Sequence, residues 1–202
     1  MAEHPSVVYS KLAKYVEKLL DDVPSGDDLD ETIRTLVETA AEGLRDELGL
    51  PGGRFYKRDG ASYQLQSAFG DARRVDDPPR LKADYPPVDV CCSEGLVYFE
   101  SDDPRLDREL EDSLGTSAFA AIEVGERDYL LAFDLAEGRH REEILVSLSL
   151  LRSGINQRIR QERMEDVFRE ARRIQASLLP RRMPSYGSFE FFGHSDSVDR
   201  VG

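Results

Sequence analysis

LGTSAFAAIEV, residues 114–124, joins the end of a helix to the start of a buried strand. We expect the helix to begin at Pro104 and to end at Gly115, because proline suits the first helical position and glycine the residue after the last. The apolar remainder of this stretch predicts a strand, and a second apolar run, 128–135, predicts its partner. A turn around Gly125 joins the two, so this part of the chain predicts an antiparallel hairpin.

A second hairpin is predicted earlier in the chain. Residues 54–58 have the composition of a strand, and the Asp-Gly pair at 59–60 is a strong signal for a tight turn. In the strand that follows, Tyr63, Leu65 and Phe69 are expected to point to the same side, with glutamines between them. This alternation predicts an antiparallel sheet with one buried face and helices on that side only.

The remaining segments predict a loop, two strands and two helices. The chain over 70–88 is polar and rich in proline, which predicts a long excursion of the lid or binding-loop kind. Residues 88–92 and 95–99 predict strands after it. Apolar stripes at helical spacing predict one helix over 6–20 and another from about residue 27 to residue 48.

The last element is predicted to be a helix of about 40 residues, from His140 to Leu179, where Pro180 stops it. At 1.5 Å per residue it would reach about 60 Å, more than one small domain needs. Its apolar positions keep a 3-4 spacing with one skip, which predicts a coiled coil and favours a parallel homodimer. Folding of the first part back onto its own domain, through Ile155, is the alternative. The predicted dimer seam is Leu148, Leu151, Ile155, Met164, Val167, Ala171, Ile174 and Leu178.

Three stretches together resemble a GAF sensor domain: GLVYFE at 95–100, DDPR at 102–105, and the helix-to-strand stretch at 114–124. The resemblance covers about residues 25–140. It implies an α+β fold, an antiparallel sheet flanked by helices, with a ligand pocket between the sheet and the loop excursion. The pocket candidates are Cys91, Tyr98, Phe119 and Tyr129, although aromatic strand residues are more often only part of the core.

The residues disfavour two specialised functions of GAF domains. Cys91 and Cys92 suggest a redox switch or an attachment point for a tetrapyrrole, but Ser93 stands where photosensory relatives carry a histidine. Acidic neighbours, Asp89 and Glu94, also disfavour a reactive thiolate, so packing in the core is the preferred interpretation. The N-K-x-F-x-D-E signature of cyclic-nucleotide binding is missing from the chain.

ARRIQASLLP at 171–180, followed by Met183-Pro184 and by Val201-Gly202, resembles the start of a bacterial 2C-type metal-dependent serine/threonine phosphatase. The branch is the one that regulates sigma-factor partner switching. In that family a V-G-G-D motif supplies an aspartate that binds the metal pair, and this sequence stops after the first glycine. The resemblance implies no catalysis and no metal cofactor within these 202 residues. It also implies Mn or Mg in the domain that follows, and an anti-sigma antagonist as the parent's substrate.

The sequence therefore predicts four parts: an N-terminal helix at 1–24, a GAF-like sensor domain at 25–140, a signalling coiled-coil helix at 141–180, and the truncated start of a phosphatase domain at 181–202. Residues after Pro184, including a strand pattern over 188–192, are expected to be disordered or to pair with another chain. The function expected is a regulatory sensor and dimerisation module of the phosphatase. A purely structural dimeriser without a ligand is the alternative, together with the redox or chromophore sensor.

Charge and composition exclude other classes. The net charge of −13 disfavours binding to nucleic acid or to an anionic membrane surface. No apolar run approaches the roughly 20 residues that span a bilayer, and the N-terminus does not resemble a secretory signal, so the cytoplasm is the expected location. The three histidines lack the spacing of metal ligands, and His140 is expected to be an ordinary surface residue.

Overall fold

The computed structural model describes residues 29–72, 74–136, 138 and 140–178, together with Lys14, Lys18 and Gly187. Apart from Lys14 and Lys18, the helix predicted over 6–20 lies outside the described residues. So do the strand predicted over 188–192 and nearly all of the predicted phosphatase start. The chain divides into two compact units, Met1–Ile159 and Arg160–Gly202.

The first unit contains a single six-stranded antiparallel sheet. Along the chain the described elements are α1 (Leu29–Leu48), β1 (Gly52–Asp59), β2 (Ser62–Gly70), β3 (Leu81–Lys82), α2 (Pro86–Glu94), β4 (Leu96–Phe99), α3 (Arg108–Leu114), β5 (Phe119–Val124), β6 (Tyr129–Asp134) and α4 (Arg141–Leu178). The strands lie in the order β3-β2-β1-β6-β5-β4, and every neighbouring pair is antiparallel. Both predicted hairpins are confirmed, and so is the long last helix.

Both faces of the sheet are buried. In β5, Ala120 and Ile122 pack in a cluster with α1 and the first half of α4, whereas Phe119 and Ala121 pack in a second cluster with α2 and α3. The prediction of one buried face and of helices on one side was therefore wrong. Two short helices that follow β3 and β4 cover the face that was expected to be open.

A bulge in β2 corrects the predicted alternation of that strand. Phe55 pairs with Ser67 and Tyr56 pairs with Leu65, so Gln66 is the extra residue. Beyond the bulge the side chains change sides. As a result Tyr63 and Leu65 belong to the second cluster, whereas Phe69 belongs to the first.

Residues 88–92, predicted to be a strand, lie in α2. Prolines occupy its first two positions after the extended Tyr85, and Gly95 ends it in the left-handed region with φ of 81°. The Gly95 N–H donates to the Cys91 carbonyl at 2.7 Å, which closes the last turn. The stretch predicted as one excursion thus contains the strand β3 and the start of this helix.

The short helix α3 begins later than predicted, at Arg108 rather than Pro104. The side chain of Asp107 accepts a hydrogen bond from the Leu110 N–H at 3.2 Å and so forms the N-cap. Its end at Gly115, with φ of 69°, is as predicted. The carboxylate cap outweighs the preference of proline for a first position.

The first part of α4 is a core element of the first unit. Leu148, Leu151 and Ile155 are each 0% exposed and pack in the cluster that contains α1. They cannot serve as a dimer seam, because the chain already covers them, so this part of the predicted seam was wrong. In the second unit, Met164 and Val167 are 61% and 68% exposed. Within the part of the chain that the structure describes, no helix is long and apolar enough to cross a membrane.

Candidate functional site

The candidate site is a cavity on the second face of the sheet, closed by α2 and α3. Its volume is about 40 Å³, which is above the ~10–15 Å³ needed to hold a water molecule. The lining is mostly apolar. It consists of Arg54, Tyr56, Leu81, Tyr85, Pro87, Val88, Cys91, Glu111, Leu114, Thr116, Phe119, Ala121, Leu130 and Ala132.

Small side chains in the middle of the sheet leave the space. Ala121 of β5 lies opposite Ala132 of β6, and Ala132 lies opposite Arg54 of β1. Two methyl groups side by side thus form the floor of the cavity, with a guanidinium at one edge. The alternation of β1 also turns Tyr56 toward the cavity and Phe55 toward the other cluster.

Arg54 is the largest polar group in the cavity wall and is only 1% exposed. Its Nη1 donates to Oδ1 of Asp134 at 2.9 Å, and its Nη2 donates to the carbonyl of Leu114 at 2.5 Å. Its Nε–H has no acceptor among the described residues. In the sequence this arginine is only one residue of a predicted strand, although its spacing of two from Tyr56 indicates that the two side chains share a face.

Glu111 of α3 is the second buried charged group. Its Oε1 accepts a hydrogen bond from the Tyr85 hydroxyl at 2.7 Å, and that hydroxyl accepts one from the Asp107 N–H at 3.1 Å. Burial raises the pKa of Glu111, an effect that the Tyr85 hydrogen bond and the Arg54 charge partly offset. Burial also raises the pKa of Tyr85, so its hydroxyl stays protonated and remains a donor.

The structure brings two of the four predicted pocket residues to the cavity. Cys91 and Phe119 line it. Tyr129 lies in the opposite cluster, where its ring stacks on that of Phe55 with centroids 5.5 Å apart. Tyr98 also packs against that cluster, with the guanidinium of Arg141 5.1 Å from its ring centroid. Strand parity explains the split. Tyr129 alternates with Leu130 and Ala132, which belong to the cavity side, and Tyr98 alternates with Val97 and Phe99, which belong to the second cluster.

The cysteines have different surroundings. Burial raises the pKa of Cys91, so its thiol is held in the protonated form. Sγ of Cys92, which is half-buried, lies 3.3 Å from the Tyr63 hydroxyl, and that hydroxyl donates to the Arg127 carbonyl at 2.8 Å. Among the described residues, no three side chains of histidine, cysteine, aspartate or glutamate are grouped in a way that would hold a metal ion.

An ion pair joins α4 to β5 and lies against the end of α2, the helix that closes the cavity. Arg152 of α4 donates from Nε to the Glu123 carbonyl and from Nη2 to Glu123 Oε2, both at 2.7 Å. Oε1 of the same carboxylate accepts from the Arg127 N–H at 2.5 Å. The guanidinium lies against Gly95, where an added Cβ would be 2.5 Å from Cζ of Arg152. We call Arg152, Glu123 and Gly95 the clamp, since together they link α4, β5 and the end of α2.

A second cavity, of about 300 Å³, lies between α1 and the start of β1. Its lining includes Glu38, Glu42, Arg45 and Arg74, so it is more polar than the first. Arg45 is already paired there with Asp71. No buried polar group without a partner is found among its described lining residues, which makes it the weaker candidate.

The sequence matches no protein-family model and no curated protein. Solved structures do match it, and several of them are GAF domains. The GAF domain of a phosphoenolpyruvate-protein phosphotransferase from Coxiella burnetii is 14% identical, with a TM-score of 0.57 over 81% of this chain and 99% of that one. The nlh2 GAF domain of A. aeolicus, in an inactive state, is 11% identical, with a TM-score of 0.56 over 77% and 98%.

A third structure, free methionine-R-sulfoxide reductase from Neisseria meningitidis with its substrate, is 15% identical, with a TM-score of 0.58 over 82% of this chain and 96% of that one. At such low identities the likeness concerns the fold alone. The fold is a curled antiparallel sheet with helices, and a long helix follows it.

Proposed function

We propose that this chain is a regulatory sensor in which a small molecule enters the cavity and α4 carries the response to an attached output domain. The clamp is the observation that carries the proposal. It connects the helix that closes the cavity with the helix that leaves the domain. A ligand can shift such an arrangement only if it interacts differently with two states of the clamp.

The cavity helix supplies the mechanical link. Pro87, Val88 and Cys91 of α2 line the cavity, and Gly95 ends the same helix. The Gly95 carbonyl accepts from the Glu123 N–H at 2.9 Å, so the helix end is held on one side by β5 and touched on the other by Arg152. A ligand that moves α2 outward would therefore change the packing of Arg152, and with it the seat of α4 on the sheet.

The exposed half of α4 is proposed to bind a second copy of the same half. Met164, Val167, Ala171, Ile174 and Leu178 follow the a and d positions of a heptad. All but Ala171 are at least half exposed in the chain. Apolar side chains at this spacing gain most by packing against the same stripe of another helix.

Charge does not oppose a parallel arrangement of the two copies. In a parallel pair, position g of one helix faces position e of the next heptad in the other. Arg163 would then face Phe168 of the partner subunit, and Glu170 would face Gln175 of the partner subunit. No like charges meet, and the other charged side chains of this segment lie on the outer positions of the pair.

The output is proposed to be a metal-dependent serine/threonine phosphatase. The resemblance of residues 171–184 to the start of such a domain supports this. Catalysis, with Mn or Mg and an anti-sigma antagonist as substrate, would belong to that domain and not to these 202 residues. A cytoplasmic location is part of the same proposal. Dimerisation through α4 would set two phosphatase domains side by side.

A purely structural dimeriser is the second candidate, and the small size of the cavity favours it, because about 40 Å³ admits only a compact ligand. The redox alternative through Cys91 and Cys92 is less favoured. A thiol whose pKa is raised by burial ionises poorly and is a weak nucleophile.

Sedimentation velocity of the purified chain tests the dimer. We expect a species of twice 22.8 kDa. Val167→Glu combined with Ile174→Glu should give monomers, because both charges would be buried in the seam. Ala176→Glu, an exposed outer position on the same helix, is the matched control and should remain dimeric. A monomeric wild-type chain at tens of micromolar would refute the dimer and leave the cavity proposal standing.

A further inference from the structure

One residue of the cavity wall has a buried donor without a partner. Arg54 lines the cavity, and its Nε–H is buried and finds no acceptor among the described residues, while the other two nitrogens of the group are engaged. Buried donors in native proteins nearly always have a partner. The remaining cavity surface is apolar apart from the polar groups of Tyr56, Tyr85, Cys91, Glu111 and Thr116.

The charge balance restricts what that partner can be. The positive charge of Arg54 is already matched by Asp134, whose Oδ1 is 2.9 Å from Nη1. Glu111, in the same wall, is a second acidic group, engaged by the Tyr85 hydroxyl. An anionic ligand would approach both carboxyl groups without finding an unmatched cation. A cationic ligand has no lone pair to offer to Nε–H.

The floor of the cavity restricts the rest of the molecule. Ala121 and Ala132 form an apolar surface next to Arg54, and the free volume is small. A short or branched alkyl group fits this surface, since its burial removes apolar area from water. Longer or more polar substituents would meet α2 and α3.

We propose that the cavity binds a small uncharged molecule whose carbonyl oxygen accepts from Arg54 Nε–H and whose alkyl group lies against Ala121 and Ala132. Short-chain amides, ketones and esters belong to this class. The proposal rests on the proposed function, in that it gives the sensor cavity a ligand chemistry. No covalent step is involved.

The test uses the Nε–H signal of Arg54 in ¹H–¹⁵N spectra of the full chain, a signal that reports directly on its acceptor. The probes are 3-methylbutanamide, 3-methylbutanoate and 3-methylbutan-1-amine, which share one carbon skeleton and differ in charge. Arg54→Lys, which keeps a positive charge beside Asp134, identifies the signal by its loss. We expect saturable downfield movement with the amide, and at least tenfold weaker binding of the two charged analogues.

Two further variants keep the test independent of any folding defect at Arg54. Ala121→Val narrows the cavity floor and should abolish the response, whereas Ala68→Val, in the second cavity, should leave it unchanged. Thermal melts of both variants establish that they fold.

Three results would overturn the proposal. One is an Nε–H signal that does not move as the amide is added, which is the result expected if a water molecule is the acceptor of Nε–H. Another is a response at Gly52 and Gly70 in place of Arg54, which would assign the ligand to the second cavity. The third is tighter binding of the carboxylate with the same Nε–H movement, which would refute the ligand class while supporting the sensor cavity itself.

Discussion

Arg152→Met should destabilise the folded chain, because it removes the cationic partner of a buried carboxylate and keeps most of the side-chain volume. The side chain of Glu123 is 7% exposed and that of Arg152 is 35% exposed, so the pair lies between a surface pair and a buried one. Exposed pairs contribute ~0–1 kcal/mol, and removing one partner of a buried pair costs ~3–5 kcal/mol. We expect a loss of about 2 kcal/mol in the free energy of unfolding.

Urea unfolding followed by circular dichroism measures this loss. Arg34→Met is the matched control, because Arg34 pairs with Glu31 on the exposed face of α1 and should lose less than ~0.5 kcal/mol. Glu123→Gln combined with Arg152→Met should recover part of the loss, because the stranded charge is then absent.

The same variant tests the connection between the clamp and the long helix. Hydrogen exchange should increase over residues 141–159 in Arg152→Met, since that part of α4 loses its tie to β5. A loss no larger than that of the control, or a double variant as unstable as Arg152→Met alone, would show that the clamp is not a stabilising link. The relay proposed here would then lack its physical basis.

Gly95→Ala should cost more unfolding free energy than Gly138→Ala, because both glycines have positive φ but only a Cβ at Gly95 meets the Arg152 guanidinium. Equal losses of unfolding free energy in urea titrations would show that the contact between a Cβ at position 95 and Arg152 is not destabilising. Burial raises the pKa of Glu111 above its ordinary 4.5 in the native state. The native state therefore holds the proton more tightly than the unfolded chain and loses stability as pH rises from 4.5 through the raised pKa. Glu111→Gln cannot ionise, and the stability advantage of the wild type over it should therefore be largest near pH 4 and decline toward pH 7; an advantage that grows with pH would contradict the raised pKa.

Local signals in the sequence were sufficient for the hairpins and the last helix. The Asp-Gly pair at 59–60 and the glycine at 115 act through backbone preferences that hold in any context, and both were interpreted correctly. The prediction of a strand over 88–92 was wrong because valine and cysteine favour strands, whereas the paired prolines and Gly95 at the two ends determine a helix. The bulge at Gln66 left no local signal, since it depends on pairing with a neighbouring strand.

The candidate site was less accessible to sequence reasoning because its contacts are distant along the chain. Arg54 and Asp134 are 80 residues apart, and only the pairing of β1 with β6 brings them together. The resemblance to GAF domains predicted a pocket between the sheet and the excursion at 70–88, and Leu81, Tyr85, Pro87 and Val88 of that stretch line the candidate cavity. It did not indicate which strand positions face that pocket. Tyr98 and Tyr129 occupy strand positions that face the opposite cluster.

The guanidinium of Arg54 has an evolutionary consequence. It meets the carboxylate of Asp134 and the carbonyl that ends α3 at the same time, so a substitution that removes it strands both acceptors. Substitutions at positions 54 and 134 are therefore expected to occur together. A lineage that exchanged both for apolar residues would bury no unpaired carboxylate, although the Leu114 carbonyl would still lose this donor. The cavity would then lack the donor on which the proposed ligand depends, and a different molecule would be expected to bind.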